Sequence, residues 1–404
     1  MKHILQLGFG TQGLRYIEES KKNGYIVSAA DLEKFFKWES SKETVNKIDN
    51  PLYFDNFSEE SFMNIINKAN NFLKLDGIIP LADTQVVISS VFSELFNLKS
   101  PGIYAASIST NKYLQRIIFE KNGINIPKFK LLNKNNYHMI LKKTTFPKIM
   151  KPTNMFGSIG VRLVNNYDEA LVYANNLLEM NESFLMEEFI EGQEFSVESL
   201  VQDGNVKFVN ITKKYTNSNF VETGHLVPFF DLEDTFKNKI YKMNEKVINN
   251  MNVKDSIVHL EAKIHQNDIF VIEVATRTPG DRIMDLIELS TGINIYSKVV
   301  DISMGKKIDI LQNTKNVTFY AHWFTTDKIG TINSFDGEDV IKNDNNIKMF
   351  ELLKSKGDKL EGESSSFNRL GYCIVQIKNE NELSYYQKNL DKILNVRVTG
   401  KRED

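Results

Sequence analysis

The sequence predicts an α/β protein whose later part is α+β, on three observations. The first hundred residues alternate strand-like and helix-like segments. The block from about 129 to 190 places strands in antiparallel-looking order around a glycine loop, and from Glu194 onward short apolar runs alternate with polar breaks. Strands alternating with amphipathic helices argue for a parallel sheet in a small Rossmann-like domain; strand following strand argues for an antiparallel one.

In order, His3 to Leu7 reads as a strand, Thr11 to Asn23 as a helix and Tyr25 to Ala30 as a strand. A helix near Glu59 to Lys74 precedes a buried strand at Gly77 to Leu81, and Pro101-Gly102 is punctuation. The next helix, Asn111 to Asn122, stops at Gly123 with Pro127 shortly after. An antiparallel sheet is expected between Glu194 and Asp301, with a helix at Arg282 to Thr291. The last ninety residues read as further strands and two short helices, with loops at Phe335 to Asp344 and Gly357 to Asn368. No internal repeat, low-complexity tract or heptad pattern interrupts this order.

A chain of 404 residues has length for two or three domains, and 41% apolar with 25% charged residues is ordinary for a soluble protein. A formal net charge of −2 gives no electrostatic case for nucleic acid or an anionic membrane as partner. The longest apolar candidate, Gly77 to Phe92, is broken by Asp83, and the N-terminus reads as a first strand and not a signal peptide. The only cysteine, Cys373, suits a reducing cytoplasm and lies in an apolar strand as a small core residue.

Gly8, Gly10 and Gly13 follow a strand, open a helix and have Asp31 at the next strand end, the pattern of a dinucleotide site. The same glycines equally permit a tight strand-to-helix turn or close helix packing. Lys151 ends a strand just before a loop with Gly157, Ser158 and Gly160; a lysine point charge and Gly-Ser amides suit phosphate, although no Walker A sequence is present. Glu187, Glu188, Phe189 and Ile190 join a strand to a glycine turn and Glu194, an edge that offers backbone groups to an adenine and a carboxylate to ribose. Standing alone, these acids would be surface charge. Glu222 and His225 sit beside Gly224 and Pro228, where a substrate contact competes with an ordinary structural histidine. Lys213 and Lys214 just before them read as solvated.

The segment from Ile257 to Arg277 reads as a β-hairpin with a short polar turn at His265 to Asp268. Closing it with Ile264 opposite Phe270 places Glu261 opposite Glu273, with Arg277 on the same strand face as Glu273. Directly opposed carboxylates repel, so a cation between them is expected. Oxygen ligands suit Mg²⁺, which takes one or two carboxylates plus substrate phosphates.

Taken together in this order, the pieces resemble the ATP-grasp superfamily over nearly the whole chain. The resemblance implies a Rossmann-like pre-ATP-grasp domain over 1–105 and a linker helix over 106–128. It implies a lid subdomain over 129–190, a catalytic core over 191–310, and an antiparallel C-terminal subdomain over 311–404 completing the large domain. It also implies roles: Lys112, Lys151 and Ser158 on ATP phosphates, Glu187 on the adenine amino group, Glu188, Phe189 and Ile190 around the base, and Glu194 on ribose. Glu261 and Glu273 would hold Mg²⁺, with Mn²⁺ as its substitute, and Arg277 would steady the acyl-phosphate and the tetrahedral intermediate. Where the family commonly has a ligating asparagine, this chain has Ala275, which leaves one or two ions open.

The segment from Glu222 to Pro228, the turn from Arg277 to Asp281 and the tail around Lys356 to Asp358 and Arg369 resemble the carboxylate–amine ligase branch, notably L-amino acid (dipeptide) ligases. That branch implies a carboxylate and an amine, amino acids above all, as substrates; Asp281 and Arg282 are placed either to bind an amino acid's amine and carboxylate respectively or merely to pair with each other. It also implies a homodimer. A non-catalytic ATP-grasp nucleotide binder is the second reading and an NAD-dependent oxidoreductase the third.

Overall fold

The computed structural model describes residues 1–37, 42–310, 317–362 and 368–399. A four-stranded parallel sheet opens the chain, in the order Asn50–Tyr53, Ile26–Asp31, His3–Leu7 and Gly77–Pro80. Every residue of His3–Leu7 is buried, as a parallel strand covered on both faces requires. The helix Gly10–Lys22 packs close to this sheet: a Cβ at Gly13 would lie 2.6 Å from Leu81 Cδ1 and 2.7 Å from Gln6 Nε2. Asp31 accepts hydrogen bonds from the Phe9 and Leu32 amides, so its carboxylate clamps the glycine turn itself. Both the close packing and the occupied acid fit the structural reading of this glycine motif.

A second, antiparallel four-stranded sheet (Phe129–Asn133, Ser183–Glu188, Lys148–Pro152, Arg162–Val164) carries the helices Tyr137–Lys142 and Tyr167–Met180 and has its own core around Leu132, Met150, Phe184 and Leu177.

The largest sheet has eight antiparallel strands. Their order is Asp268–Ala275, Ser256–His265, Gln193–Gln202, Asn205–Thr216, Glu222–Val227, Thr318–Phe324, Gly371–Ile377 and Ile347–Leu352. Strand alternation divides its residues. On Ser256–His265 the even positions Val258, Leu260 and Ala262 join a core with Val247 and Ile248 of the helix Asp234–Asn250, while His259, Glu261 and Lys263 line a cavity on the opposite face. On that opposite face a further core joins Leu200, Ile257, Phe319 and Tyr372 to the helices Ile283–Thr291 and Ile295–Ser303, and to Tyr16 and Ile17 of the first helix.

The edge strand Asp268–Ala275 does not end in open backbone. Gln115 on the helix Lys112–Lys121 donates to the Val274 carbonyl and accepts from its amide, Arg116 donates to the Ile272 carbonyl, and the Val271 amide reaches Asn125. Covering an edge in this way removes a pairing template.

The hairpin register differs from the expectation near its turn. Lys263 pairs with Phe270 and Ile264 with Ile269, one residue away from the predicted closure. A bulge between Glu261 and Ala262 then inserts Ile272, and beyond it Glu261 does pair with Glu273. Gln266, at φ 56°, sits in a tighter turn than the sequence reading allowed, and the bulge takes up the extra residue.

In the tail, the stretch expected as a loop at Phe335 to Asp344 holds the end of the strand Ile329–Asp336 and the helix Glu338–Lys342. The second tail helix, Glu380–Ile393, has 14 residues and is not short. The other expected loop carries the strand Lys359–Glu361, and its residues 363–367 lie outside the described ones.

Candidate active site

One cavity of about 450 Å³ lies among the sheet that contains Lys148–Pro152 and Ser183–Glu188, the hairpin and the Arg277 turn. Its wall includes the residues expected to bind ATP, metal or substrate, with the exception of Arg282: Lys112, Lys151, Ser158, Glu187 to Ile190, Glu194, Glu222, His225, Glu261, Glu273, Arg277 and Asp281.

The wall formed by that sheet is built on a buried charge cluster. Glu187 lies on Ser183–Glu188, and its carboxylate accepts from Arg116 Nε at 2.6 Å and from Lys151 Nζ at 2.7 Å. Burial disfavours the Glu187 anion, but the two cations outweigh it and hold its pKa down at about 2. Burial lowers the Lys151 pKa, against the pull of Glu187. The Glu187 carboxylate is therefore already engaged by protein cations. Gly157, Ser158 and Gly160 all take left-handed backbone (φ 64°, 60° and 71°), and Ser158 Oγ donates to the Phe220 carbonyl, tying the two loops together. The hinge turn needs glycine: Gly192 has φ 138°, and a Cβ there would sit 1.9 Å from the Ile264 carbonyl oxygen.

The hairpin side carries the opposed carboxylates. Glu273 receives Lys112 Nζ at 2.7 Å, and Glu261 receives Lys214 Nζ at 2.6 Å. Lys214 also lies 3.3 Å from Glu194 and 3.6 Å from Glu222. Burial works against the ammonium, yet the three carboxylates raise the Lys214 pKa well above the ordinary value. His259 bridges Glu198 (3.0 Å) and Glu261 (3.2 Å); against the cost of burial, these acids lift its pKa to about 9. Glu198 in turn accepts from Asn210 and Thr212. Among the described residues no group of three or more His, Cys, Asp or Glu side chains could hold a metal alone. Two opposed carboxylates do suit a hard divalent cation completed by phosphate oxygens, and Ala275 on the same wall adds no donor.

Arg277 lies past the end of the strand, which stops at Ala275, and is held by Asp83 at 2.6 Å and by the Thr278 carbonyl. The turn that follows is braced by the N-terminal domain: Gln12 donates to the Pro279 carbonyl, and the Tyr16 hydroxyl meets Thr278 Oγ1 at 2.7 Å. Asp281 and Arg282 both have left-handed backbone, at φ 58° and 61°. Asp281 faces the cavity and binds His225 (3.1 Å) and Arg369 (2.5 Å). Burial opposes its ionisation, but Arg369 and His225 keep its pKa well below the carboxylate range. Arg282 points elsewhere. It is buried against Asp285 (3.2 Å), Glu351 (2.9 Å) and the face of Tyr372, outside the cavity wall.

Sequence reasoning missed Asp83, Lys214, His259 and Arg369, all of which line the cavity, and Arg116 behind it. Signals existed for three. Arg116 lies one helical turn from Lys112, His259 two strand residues from Glu261, and Lys214 directly across the ladder from His225. Contrary to the solvated reading, Lys214 is only 3% exposed. Arg369 stood out only as part of the tail that resembles the ligase branch, with no role attached, and nothing local marks Asp83.

Comparison with known proteins agrees with this architecture. The family model "ATP-grasp domain" matches residues 144–285. That stretch is an ATP-grasp domain. A second model, "L-amino acid ligase C-terminal domain 2", matches residues 322–399. An L-arginine-specific L-amino acid ligase of Bacillus subtilis is 25% identical over 323 residues, which is 77% of each chain. An alanine–anticapsin ligase of the same species is 25% identical over 279 residues, 62% of this chain and 59% of its relative. The ATP-grasp fold is shared with the crystal structure of an L-amino acid ligase from Bacillus licheniformis (TM-score 0.84, 20% identity, 99% of both chains). It is also shared with a phosphoribosylglycinamide synthetase from Anaerococcus prevotii (TM-score 0.75, 21% identity, 98% of this chain and all of that one). Among the described residues no helix is long and apolar enough to cross a membrane.

Proposed function

We propose that this protein is an ATP-dependent ligase that joins a carboxylate to an amine, both supplied by amino acids, through an acyl-phosphate. The observation that carries the reading is the pairing of Glu261 with Glu273 on the wall of the cavity that Lys112, Lys151, the 187–190 hinge and Arg277 also line. ATP occupies the lid side, its base against Glu188 to Ile190, its ribose near Glu194 and its phosphates between Lys112, Lys151 and the Ser158 loop. With its carboxylate held by Arg116 and Lys151, Glu187 orients these cations around the nucleotide.

Glu261 and Glu273 are the residues to hold Mg²⁺, which supplies charge neutralisation on phosphate oxygens when bound. Lys112 and Lys214, which here hold these two carboxylates, would supply positive charge beside the phosphates once an ion took their place. The carboxylate of one substrate attacks the γ-phosphorus, ADP leaves, and an acyl-phosphate forms; positioning and electrostatics dominate such a transfer. The amine of the second substrate attacks the acyl carbon, the oxyanion faces the Arg277 guanidinium, and phosphate leaves as the C–N bond is completed. The lid over 129–190 excludes water from the acyl-phosphate.

The test is phosphate release from ATP and Mg²⁺ over pairs of L-amino acids, with the product identified by mass spectrometry. Ligation that depends on both amino acids supports the reading. ATP binding with no turnover for any pair overturns it in favour of a non-catalytic nucleotide binder.

A further inference from the structure

Two rows of side chains cross the eight-stranded sheet side by side. Asn210, Glu198, His259 and Ala275 pair in one row over four strands. Two residues along, and so on the same face, Thr212, Ser196, Glu261 and Glu273 pair in the next. The His259 ring bridges the rows: Nδ1 lies 3.0 Å from Glu198 Oε1 and Nε2 lies 3.2 Å from Glu261 Oε1. Both partners are carboxylates, which only accept, so both ring nitrogens donate. Glu198 is 1% exposed and lies behind the cavity wall. Its second oxygen accepts from Asn210 Nδ2 at 2.8 Å and Thr212 Oγ1 at 2.7 Å. The contacts of Glu198 therefore fix the imidazole and reach nothing in the cavity.

The bonds on the two opposed glutamates share one feature. His259 and Lys214 both donate to Oε1 of Glu261, and Lys112 donates to Oε1 of Glu273. Among the described residues, no hydrogen bond reaches Oε2 of either glutamate. Each carboxylate is pinned through one oxygen and keeps the other for a ligand. Ala275, directly across from His259, has no polar side-chain atom, so within that row His259 alone reaches Glu261.

We propose that His259, backed by Glu198, is a positioning residue for the divalent-cation site, turning Glu261 so that Oε2 meets the ion beside Glu273. The inference rests on the ligase reading above for the ion, and assigns a role to two residues to which that reading gives none. Contacts of this kind behind a metal-binding carboxylate typically change metal affinity by about 10- to 100-fold.

Removing His259 alone strands the buried Glu198 charge, so the variants are made in pairs. Glu198→Gln with His259→Leu removes the donor to Glu261 and leaves no stranded charge. Glu198→Gln with His259→Gln restores an N–H donor beside Glu261. Mn²⁺ is titrated into the full-length protein with ADP present, bound metal is read by electron paramagnetic resonance, and ADP affinity without metal is measured by calorimetry. The leucine pair should weaken Mn²⁺ binding by roughly 10- to 100-fold, and the glutamine pair should recover most of it. ADP affinity without metal should stay at the wild-type value in both. Added to Glu261→Gln, the leucine pair should cause little further loss, because it acts through that side chain. Unchanged Mn²⁺ affinity in the leucine pair, an equal fall in metal-free ADP affinity, or a full further loss on top of Glu261→Gln overturns the proposal. These readouts are independent of turnover. A wild type that binds Mn²⁺ with ADP yet ligates no pair of amino acids removes the ligase reading and leaves the variants to decide this one. A wild type that ligates but binds no Mn²⁺ with ADP overturns this one alone.

Discussion

Arg116 and Glu187 form an ion pair with neither side chain exposed to solvent beyond 3%, and the pair ties the strand Ser183–Glu188 to the hairpin. Arg116 Nε and Nη2 hold the carboxylate at 2.6 and 3.3 Å, and Nη2 also donates to the bulge carbonyl of Ile272 at 2.6 Å. One side chain on the helix Lys112–Lys121 thus joins the strand Ser183–Glu188 to the strand that carries Glu273. Removing either partner leaves a buried charge uncompensated, which typically costs about 3–5 kcal/mol.

Glu187→Gln should therefore destabilise the protein by a few kcal/mol at neutral pH, read by urea denaturation. The sign of its pH dependence follows from a native pKa of about 2 against an ordinary 4.5. A depressed carboxylate pKa contributes stability that is full above pH 4.5 and lost as pH falls toward 2. The gap between wild type and variant should shrink over that window. A gap that stays constant from pH 6 to 3 would contradict the assignment.

Arg277→Ala is expected to lower kcat by about 10²- to 10³-fold, the usual loss on deleting one oxyanion donor, with little change in the KM for ATP. Asp83→Asn removes the 2.6 Å partner that fixes Arg277 and should give a smaller loss in the same direction. Steady-state kinetics of both variants decide; retained ligation in Arg277→Ala with normal kinetics would remove it from the mechanism.

Glu261→Gln and Glu273→Gln should each raise the Mg²⁺ concentration for half-maximal activity by at least about tenfold. Titration with Mn²⁺ followed by electron paramagnetic resonance, in the presence of ATP, gives an activity-independent check. Unchanged metal affinity in both variants would place the ion elsewhere.

Gly192→Ala forces a Cβ into the Ile264 carbonyl and a left-handed-side backbone on alanine, so a loss of about 1–3 kcal/mol is expected. Because Gly192 lies between the hinge and Glu194, nucleotide affinity should fall as well, measured by calorimetric titration with ADP. A variant with wild-type stability and affinity would show that this turn relaxes freely.

Much of the fold was legible because it is written in local periodicity. The burial of every residue in His3–Leu7 and the alternation of Val258, Leu260 and Ala262 with His259 and Glu261 are sequence patterns that packing merely executes. The facing of Glu261 and Glu273 was also legible, although by a different route, since the turn closed one residue tighter and the Ile272 bulge restored the pairing. A bulge has no reliable local signature, because it depends on the carbonyl finding a partner such as Arg116.

Local pattern along the chain was enough for the alternation of layers, the glutamate hairpin and the order of its lysines, glutamates and arginine. Which charges meet was settled by long-range packing. Lys214 is buried among three carboxylates instead of solvated, and Asp83 crosses from the first domain to hold Arg277. Asp281 is paired with Arg369, 88 residues away, and not with its neighbour Arg282. Periodicity reports which face of an element is buried, but a buried charge is stable only beside a partner, and that partner is chosen by the packing of distant segments.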